Sequence, residues 1–220
     1  GIVMSGNGTF TISVKGQGGH ASQPELCRDP VLAASAITLA LQQIVSRKLA
    51  PQKAAVVSVT SIEARSAATV IPQQAVLGGS IRVPDQNTRN EINQWITEIA
   101  NNTAQAYGVE CDVDIQSRYE ATINHPAQAK FMRQLWQQKW GETALEQKVL
   151  TPIMASEDFS YYLQKIPGAF ALIGADDGPD HQAPCHSPYY DFNDRLIEKV
   201  TALFAQVVGA PLAKTQHNID

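Results

Sequence analysis

His186 is the side chain of this sequence best suited to bind a metal ion. It lies in a run of turn-forming and helix-capping residues at positions 184–194, PCHSPYYDFND. A neutral imidazole held in a turn ahead of a helix can coordinate zinc, but it can equally serve as a structural cap, and both interpretations stay open at this point. A catalytic zinc needs about three or four protein ligands. The sequence must therefore supply partners for His186, or the chain holds only part of a site.

His20 is the second candidate for chemistry. It follows three glycines on a tight loop at positions 16–24, GQGGHASQP. An imidazole presented by such a loop can donate a proton or stabilise an oxyanion. The alternative is a turn histidine bonded to a nearby carbonyl. Among the other histidines, we expect His181 to be exposed to solvent, and His125 and His217 to be surface residues.

The motifs that would complete a metal site or offer another chemistry are missing from the sequence. It has no His-Glu-x-x-His, no Cys-Gly-His and no Glu-Glu pair, and neither a Gly-x-Ser-x-Gly elbow nor a Walker loop. The glycines at positions 16–19 lack the dinucleotide-binding spacing. His186 is thus a candidate ligand without companions.

Composition excludes several functional classes. The 220 residues carry a net charge of -4, with 44% hydrophobic and 17% charged residues, which is typical of a globular protein and gives no sign of a surface for nucleic acid or membranes. Three widely spaced cysteines form neither a disulfide framework nor a Cys-x-x-Cys site, which favours a cytoplasmic location. Because the first residue is Gly1, we expect the chain to be a piece of something longer.

The elements that must position His20 form the first block, expected at residues 1–118. Strict alternation predicts strands at 9–15 and 109–116, and β-rich segments lie at 54–63 and 75–83 with a loop at 65–72 between them. Asp29-Pro30 predicts the start of a helix that runs to about Ser46, and a second helix is expected at 88–107 before Gly108. The order βαββαβ predicts a ferredoxin-like, α+β arrangement: a four-stranded antiparallel sheet with both helices on one face.

The second block, residues 119–220, is expected to position His186. Helices are predicted at Pro126–Trp140, with Phe131 facing inward, after an N-cap at Ser156, and from Leu196 onward. Residues 169–173 are expected to form a buried strand, and 214–220 a frayed tail. With so few strands, this block predicts only part of an α/β domain.

Together these segments resemble the zinc amidohydrolase family of aminoacylases, carboxypeptidase G and succinyl-diaminopimelate desuccinylase, and most closely its hippurate hydrolase and auxin-conjugate hydrolase subgroup. The matching stretches are 14–22 (VKGQGGHAS), 29–31 (DPV), 45–47 (VSR), 70–72 (VIP) with 81–82 (IR), 156–160 (SEDFS) and 186–194 (HSPYYDFND). They occur in order along nearly the whole chain.

The resemblance implies that residues 1–118 are a ferredoxin-like lid that forms a homodimer, and that 119–220 are the C-terminal part of an α/β zinc-peptidase catalytic domain. It implies that His186 is a metal ligand, that His20 stabilises the tetrahedral intermediate in a partner subunit's active site, and that Arg82 holds the substrate's carboxylate. Thr69 stands where the family commonly has a substrate-binding Asn, which predicts a changed substrate preference.

The resemblance also implies two Zn²⁺ ions per intact active site, with Mn²⁺, Co²⁺ or Ni²⁺ as alternatives, and a metal-activated water that attacks an amide. Most ligands would lie in an N-terminal half that precedes Gly1. The resulting hypothesis is part of an amidohydrolase that cleaves N-acyl amino acids or small peptides and is inactive as this chain alone. The alternative is a non-catalytic dimerisation or small-molecule-binding module that lacks the metal half.

Overall fold

The computed structural model describes residues 1–146 and 148–211, which form two compact units. The sheet unit consists of Ile2–Ile123 and Leu150–Ile166. The helical unit consists of Gly1, Asn124–Val149 and the described residues from Pro167 onward. The segment Leu150–Ile166 therefore packs with the N-terminal part of the chain, although residues 124–149 separate the two in sequence. The expected domain boundary at residue 118 stays a prediction.

Strands and helices occupy the following ranges. The strands are β1 (Ile2–Met4), β2 (Gly6–Lys15), β3 (Gly19–His20), β4 (Val56–Glu63), β5 (Val70–Ile71), β6 (Gln74–Val83), β7 (Glu110–Ser117) and β8 (Thr122–Ile123). The helices are α1 (Pro30–Leu41), α2 (Gln86–Ala106), α3 (Pro126–Trp140), α4 (Phe159–Leu163) and α5 (Arg195–Val208). All eight strands of the described residues therefore precede the third helix.

The sheet unit is built on a four-stranded antiparallel sheet in the order β4-β6-β2-β7. The helices α1 and α2 contact each other and bury their apolar residues in the same core as the strands. This is the βαββαβ, α+β arrangement predicted from the sequence, and the ferredoxin-like expectation is confirmed. The core contains Phe10, Ile12, Val14, Ala33, Ala34, Ile37, Leu41, Ile44, Ala75, Leu77, Ile81, Val83, Ile92, Ile96, Ile99, Ala100, Ala104 and Val109.

Local capping sets the ends of both helices. Asp29 precedes Pro30, and its Oδ1 accepts hydrogen bonds from the backbone N–H of Val31 at 2.8 Å and of Leu32 at 3.2 Å. Helix α2 ends before Gly108, which has a φ of +67°. Glycine adopts this left-handed conformation with little steric strain because it has no Cβ. Both signals were read correctly from the sequence, although α1 ends at Leu41 rather than near Ser46. The chain continues there in a single turn of π-helix, Ile44–Lys48.

Two predictions for the sheet unit were wrong in detail. The segment 65–72 is not only a loop, because Val70 and Ile71 form β5 and pair with β3. Ser156 does not cap a helix, since α4 begins at Phe159 and its Asp158 makes no capping bond. The Ser156 hydroxyl instead accepts a hydrogen bond from Arg82, and a bond from a charged donor is stronger than a neutral capping bond.

The helical unit pairs α3 with α5. The predicted strand at 169–173 is absent, because the backbone of Phe170 bonds to a side chain instead of a neighbouring strand: its N–H donates to Asn124 Oδ1 at 2.7 Å, and its carbonyl accepts from Asn124 Nδ2 at 2.8 Å. Phe131 is 45% exposed, so its inward orientation was also wrong; α5 covers only part of α3 within this unit. The predicted tail at 214–220 lies outside the described residues.

Among the described residues, no helix combines the length and apolar character that a membrane crossing requires.

Candidate active-site residues

His20 and Thr69 are brought together on a two-stranded ribbon in the sheet unit. His20 pairs with Val70 in the β3–β5 ladder, and the next residue, Ala21, donates its backbone N–H to the carbonyl of Thr69 at 2.8 Å. Both His20 and Thr69 are exposed. The ribbon therefore holds the backbones of the two residues close together and leaves both side chains exposed to solvent.

The backbone that carries His20 is held by further bonds. Gln17 and Arg28 exchange reciprocal backbone hydrogen bonds at 2.9 Å. The N–H of Gly18 donates to Gln73 Oε1 at 3.1 Å, and a Cβ at Gly18 would collide with the carbonyl of Ile71. The glycines thus allow the backbone next to the exposed His20 to pack closely against the neighbouring segment.

One nitrogen of His20 is already engaged. Its Nδ1 accepts the backbone N–H of Ser22 at 3.1 Å and lies 2.7 Å from Ser22 Oγ. In the neutral imidazole the proton then resides on Nε2, which is left as a donor. This is the arrangement that an oxyanion-stabilising histidine needs, and it differs from a turn histidine that donates to a carbonyl.

Arg82 lies on β6 with a half-buried side chain. Its Nη1 donates to Ser156 Oγ at 3.0 Å. Within the described ranges it has no carboxylate partner at ion-pair distance. A guanidinium has five N–H donors in a planar fork. Arg82 therefore keeps an unneutralised charge and free donors for an anionic ligand.

His20 and Arg82 lie at opposite ends of the sheet. Strand β6 starts at Gln74, which pairs with Lys15, and Arg82 pairs with Asn7 at the other end of β2. The His20 ribbon adjoins the first end, where Gly16 donates its N–H to the carbonyl of Gln73. Eight residues of strand at about 3.3 Å each separate the two ends by about 26 Å. One chain does not bring these two side chains to one site.

His186 lies in the helical unit on a turn between Gly174 and α5. Its side chain is exposed, and its φ of +69° is unusual for a residue with a Cβ. The next residue, Ser187, donates its N–H to the carbonyl of Pro184 at 3.0 Å and closes the turn. The backbone at His186 is thus held in a strained conformation that leaves the imidazole exposed. Strained backbone of this kind is often found at functional sites.

The loop that carries His186 is tied together at its base. Asn193 Nδ2 donates to the carbonyl of Ala175 at 3.0 Å. Asp177 pairs with His181 at 2.6 Å and with Arg195 at 2.9 Å. Hydrogen bonds from His181 and Asn193 and the charge of Arg195 lower the pKa of the Asp177 carboxyl below its usual value.

The expected solvent exposure of His181 was wrong. Only 14% of its side chain is exposed, because the imidazole turns toward Asp177 four residues earlier. His125 is half-buried at the start of α3, where its Nδ1 lies 3.2 Å from the N–H of Gly168. His217 lies outside the described residues.

The described residues fit one ligand of a metal centre and not a complete centre. No group of three or more His, Cys, Asp or Glu side chains among them could hold a metal ion. His186 offers an exposed imidazole, which suits a single ligand. No catalytic step through a metal follows from these residues alone.

Sequence reasoning missed two contributors. Ser156 was predicted to cap a helix, whereas in the structure its hydroxyl accepts a hydrogen bond from Arg82. Asp177 was not singled out, although it joins His181 to Arg195 at the base of the His186 loop. The i, i+4 spacing of Asp177 and His181 was a usable signal, whereas nothing local links Ser156 to residue 82.

Comparison with known proteins gives consistent results. The peptidase dimerisation domain of the M20 family matches residues 3–108. Hippurate hydrolase of Campylobacter jejuni is 32% identical over 94% of this chain and 53% of its own length. An IAA-amino acid hydrolase of Arabidopsis thaliana, ILR1-like 2, is 32% identical over 94% of this chain and 47% of its own length.

A solved structure shares the fold. The YXEP protein of Bacillus subtilis, described as a dinuclear metal-binding peptidase of the M20 family, superimposes with a TM-score of 0.70 at 22% identity, over 94% of this chain and 50% of its own. This chain therefore spans about half the length of the relatives it matches.

Proposed function

Because this chain belongs to the M20 peptidase family, with the family's dimerisation domain at residues 3–108, we propose that it is part of a metal-dependent amidohydrolase. The substrate class is N-acyl amino acids or small peptides, as the names of hippurate hydrolase and IAA-amino acid hydrolase indicate for those relatives. The bond broken is the amide between an acyl group and an amino acid that keeps its free carboxylate.

The side chains of this chain take separate roles in that reaction. Arg82 binds the substrate's carboxylate through its free N–H donors, and Thr69 contacts the substrate beside the His20 ribbon. His20 donates Nε2–H to the oxygen of the tetrahedral intermediate. His186 provides one ligand of a two-metal centre whose other ligands lie outside this chain; we expect zinc, which supplies Lewis-acid activation of water when bound.

We propose that His20 and Arg82 meet only between two subunits. Their separation along the sheet, about 26 Å at a strand rise of about 3.3 Å per residue, is the observation that carries this proposal. A twofold axis that pairs one sheet edge with its copy reverses the strand direction. The His20 end of one subunit then lies beside the Arg82 end of its partner.

The surface proposed for the homodimer is formed by β4 and the outer side of α1. β4 is an edge strand, so its backbone groups on that side are free to pair with another strand. Its Ile62 is 50% exposed, and Leu39 on α1 is 75% exposed. An edge strand flanked by exposed apolar side chains is suited to association with a second copy.

A complementation experiment tests the shared site. His20→Ala and Arg82→Gln are made separately in the full-length protein, and each homodimer is expected to lose activity. When the two are co-expressed, each hybrid dimer has one site with both lesions and one with none. We expect the hybrid to regain up to half of the wild-type activity per dimer. If hybrids stay as inactive as their parents, the two residues act within one subunit.

The amidohydrolase function itself is tested with a substrate panel. Full-length protein loaded with Zn²⁺, Mn²⁺, Co²⁺ or Ni²⁺ is assayed against hippurate and a set of N-acetyl amino acids. We expect turnover of at least one of them, and none by the 220-residue chain alone, which has one candidate ligand. Turnover by the 220-residue chain would overturn that last expectation. A full-length protein that binds these compounds but hydrolyses none would favour a binding module.

We expect the protein to work in a reducing cytoplasm. Cys27, Cys111 and Cys185 are all free thiols in the structure, which such a compartment preserves. Fractionation of cells that produce the tagged full-length protein, with a periplasmic and a cytoplasmic marker, checks this expectation.

A further inference from the structure

Ser156 is the residue that holds the guanidinium of Arg82. Its Oγ accepts from Arg82 Nη1 at 3.0 Å across 74 positions of sequence. A hydroxyl can do this without neutralising the charge, because it contributes only a dipole. The bond fixes one corner of the fork and leaves the other N–H groups available.

The segment that carries Ser156 is itself fixed to the start of the sheet unit. Ser5 donates its N–H to the carbonyl of Ile153 at 2.9 Å, and the N–H of Ile153 donates to the carbonyl of Val3 at 2.9 Å. The hydroxyl of Ser5, which is fully buried, donates to the carbonyl of Ala155 at 3.1 Å. The position of Ser156 is thus set by bonds to a buried part of the fold.

A second arginine of the same unit, Arg89, has a structural role and provides a comparison for Arg82. Arg89 is 2% exposed and donates to the carbonyls of Asn7 and Tyr119, both at 2.8 Å, with Glu120 at 3.6 Å. Its charge is compensated and its two Nη atoms are bonded to the fold. Arg82, half-buried and bonded to one neutral hydroxyl, is the opposite case.

We infer that Ser156 is a positioning residue for substrate binding: it orders the Arg82 guanidinium so that the free N–H pair faces the carboxylate of the substrate. This inference rests on the proposed role of Arg82. An arginine has many rotamers, and a guanidinium fixed before binding loses less conformational entropy when the carboxylate arrives. Ser156 touches no reacting atom, so its effect falls on binding and not on the chemical step.

The test uses the full-length, metal-loaded enzyme and the N-acyl amino acid that it hydrolyses best. Ser156→Ala is expected to raise KM about 3- to 10-fold, the effect of leaving one rotamer-rich side chain unordered, with kcat within about twofold. For the C-terminal carboxamide of the same compound, which has no carboxylate, KM should not change. Ser156→Thr keeps the hydroxyl and should restore the KM of the wild type.

Ser160→Ala is the matched control. Ser160 is in the same segment and is buried, but its Oγ has no hydrogen-bond partner among the described residues. The Ser160→Ala variant should therefore have the KM and kcat of the wild type. Equal effects of Ser156→Ala and Ser160→Ala on both kinetic constants would mean a general structural role, and the inference would be wrong.

Two more variants distinguish an incorrect role of Arg82 from an incorrect role of Ser156. If Arg82→Gln leaves KM for the carboxylate substrate unchanged, the proposed role of Arg82 is wrong and the inference falls with it. If Arg82→Gln raises KM but Ser156→Ala does not, only the positioning role is wrong. Should Ser156→Ala fold poorly, Ser156→Asp provides a second test: its carboxylate would pair with Arg82 and compete with the substrate, raising KM more than Ser156→Ala. An unchanged KM in Ser156→Asp would overturn the inference.

Discussion

The backbone N–H of Ser22 donates a hydrogen bond to Nδ1 of His20 at 3.1 Å. A backbone amide can only donate, so this contact fixes Nδ1 as the acceptor and leaves the proton of the neutral ring on Nε2. The chain thereby sets the tautomer of a surface histidine two residues earlier. A histidine prepared in this way is a donor before any substrate arrives.

Replacement of His20 by alanine should therefore affect the chemical step. We expect His20→Ala in the full-length enzyme to lower kcat by about 10²- to 10³-fold, the usual effect of removing one oxyanion donor, while metal content stays constant. Ser22→Ala is the control, because it removes Oγ but keeps the N–H that sets the tautomer; its kcat should stay within a few fold of wild type. A His20→Ala enzyme with the kcat of wild type would show that His20 does not stabilise the oxyanion.

The ferredoxin-like sheet was predictable because its signals are local. Alternation at residues 9–15 identifies β2, and Asp29-Pro30 marks the start of α1 within a few positions. Such patterns depend on which face of an element is buried, and that information is contained in a short window. His20 could be singled out from its glycine-rich loop, and Thr69 and Arg82 once the family motifs were matched, but the roles of all three stay predictions.

The features that were missed depend on contacts between distant positions. Strand β5 is two residues long and exists because Gly19 and His20 lie beside it. The segment 169–173 was read as a strand from its apolar composition, yet Asn124 takes both backbone groups of Phe170. A single buried amide side chain can bond both backbone groups of a residue that a neighbouring strand would otherwise pair with. The residues around β5 and those around 169–173 contain no local pattern that predicts these distant partners.

A methyl group at Gly79 should destabilise the sheet unit. A Cβ at this position would overlap the ring of Phe10, which is 2% exposed and cannot move outward. We expect Gly79→Ala to lower the free energy of unfolding in urea by about 1–3 kcal/mol, as overpacking usually does. Gly78→Ala is the neighbouring control, because its Cβ meets only the rotatable hydroxyl of Ser61. Equal unfolding midpoints for the two variants would contradict the overlap with Phe10.

Removal of the Arg89 side chain should also be costly. Arg89→Met removes the two guanidinium donors that reach the carbonyls of Asn7 and Tyr119 at 2.8 Å, and leaves each carbonyl only its backbone donor. The expected loss in the free energy of unfolding is about 2–5 kcal/mol, since two hydrogen bonds from a charged group are lost. Arg65→Met, at an exposed loop position, should change it by less than about 0.5 kcal/mol. A stable Arg89→Met protein would mean that water replaces the guanidinium.

A charge on the outer side of α1 should break the homodimer. Leu39 is 75% exposed and lies on the proposed interface. Leu39→Asp would place a carboxylate in an apolar contact, so we expect a monomer in light scattering at concentrations where the wild type is a dimer. Gln105→Asp puts the same charge on an exposed position of α2 and should stay dimeric. If Leu39→Asp remains a dimer, the two subunits associate through another surface.

The Asp177 carboxylate should stabilise the His186 loop in a pH-dependent way. Hydrogen bonds from His181 and Asn193, with the nearby charge of Arg195, lower its pKa in the folded protein below the usual value for aspartate, about 3.9. A lowered pKa means that the folded state holds the proton less tightly than the unfolded state. Its contribution to stability is therefore complete above about pH 4 and is lost as the pH falls through the folded-state pKa.

Asp177→Asn removes this charge with little change of shape. We expect the urea midpoint of Asp177→Asn to lie below that of wild type at pH 7, and the difference to shrink as the pH is lowered from about 4 toward 2, where the wild-type carboxyl also becomes neutral. Asp180→Asn is the control on the same loop, because Asp180 makes no side-chain hydrogen bond or ion pair to a described residue; it should match the wild type at both pH values. A difference for Asp177→Asn that persists undiminished at low pH would mean that packing, and not the charge, links Asp177 to His181 and Arg195.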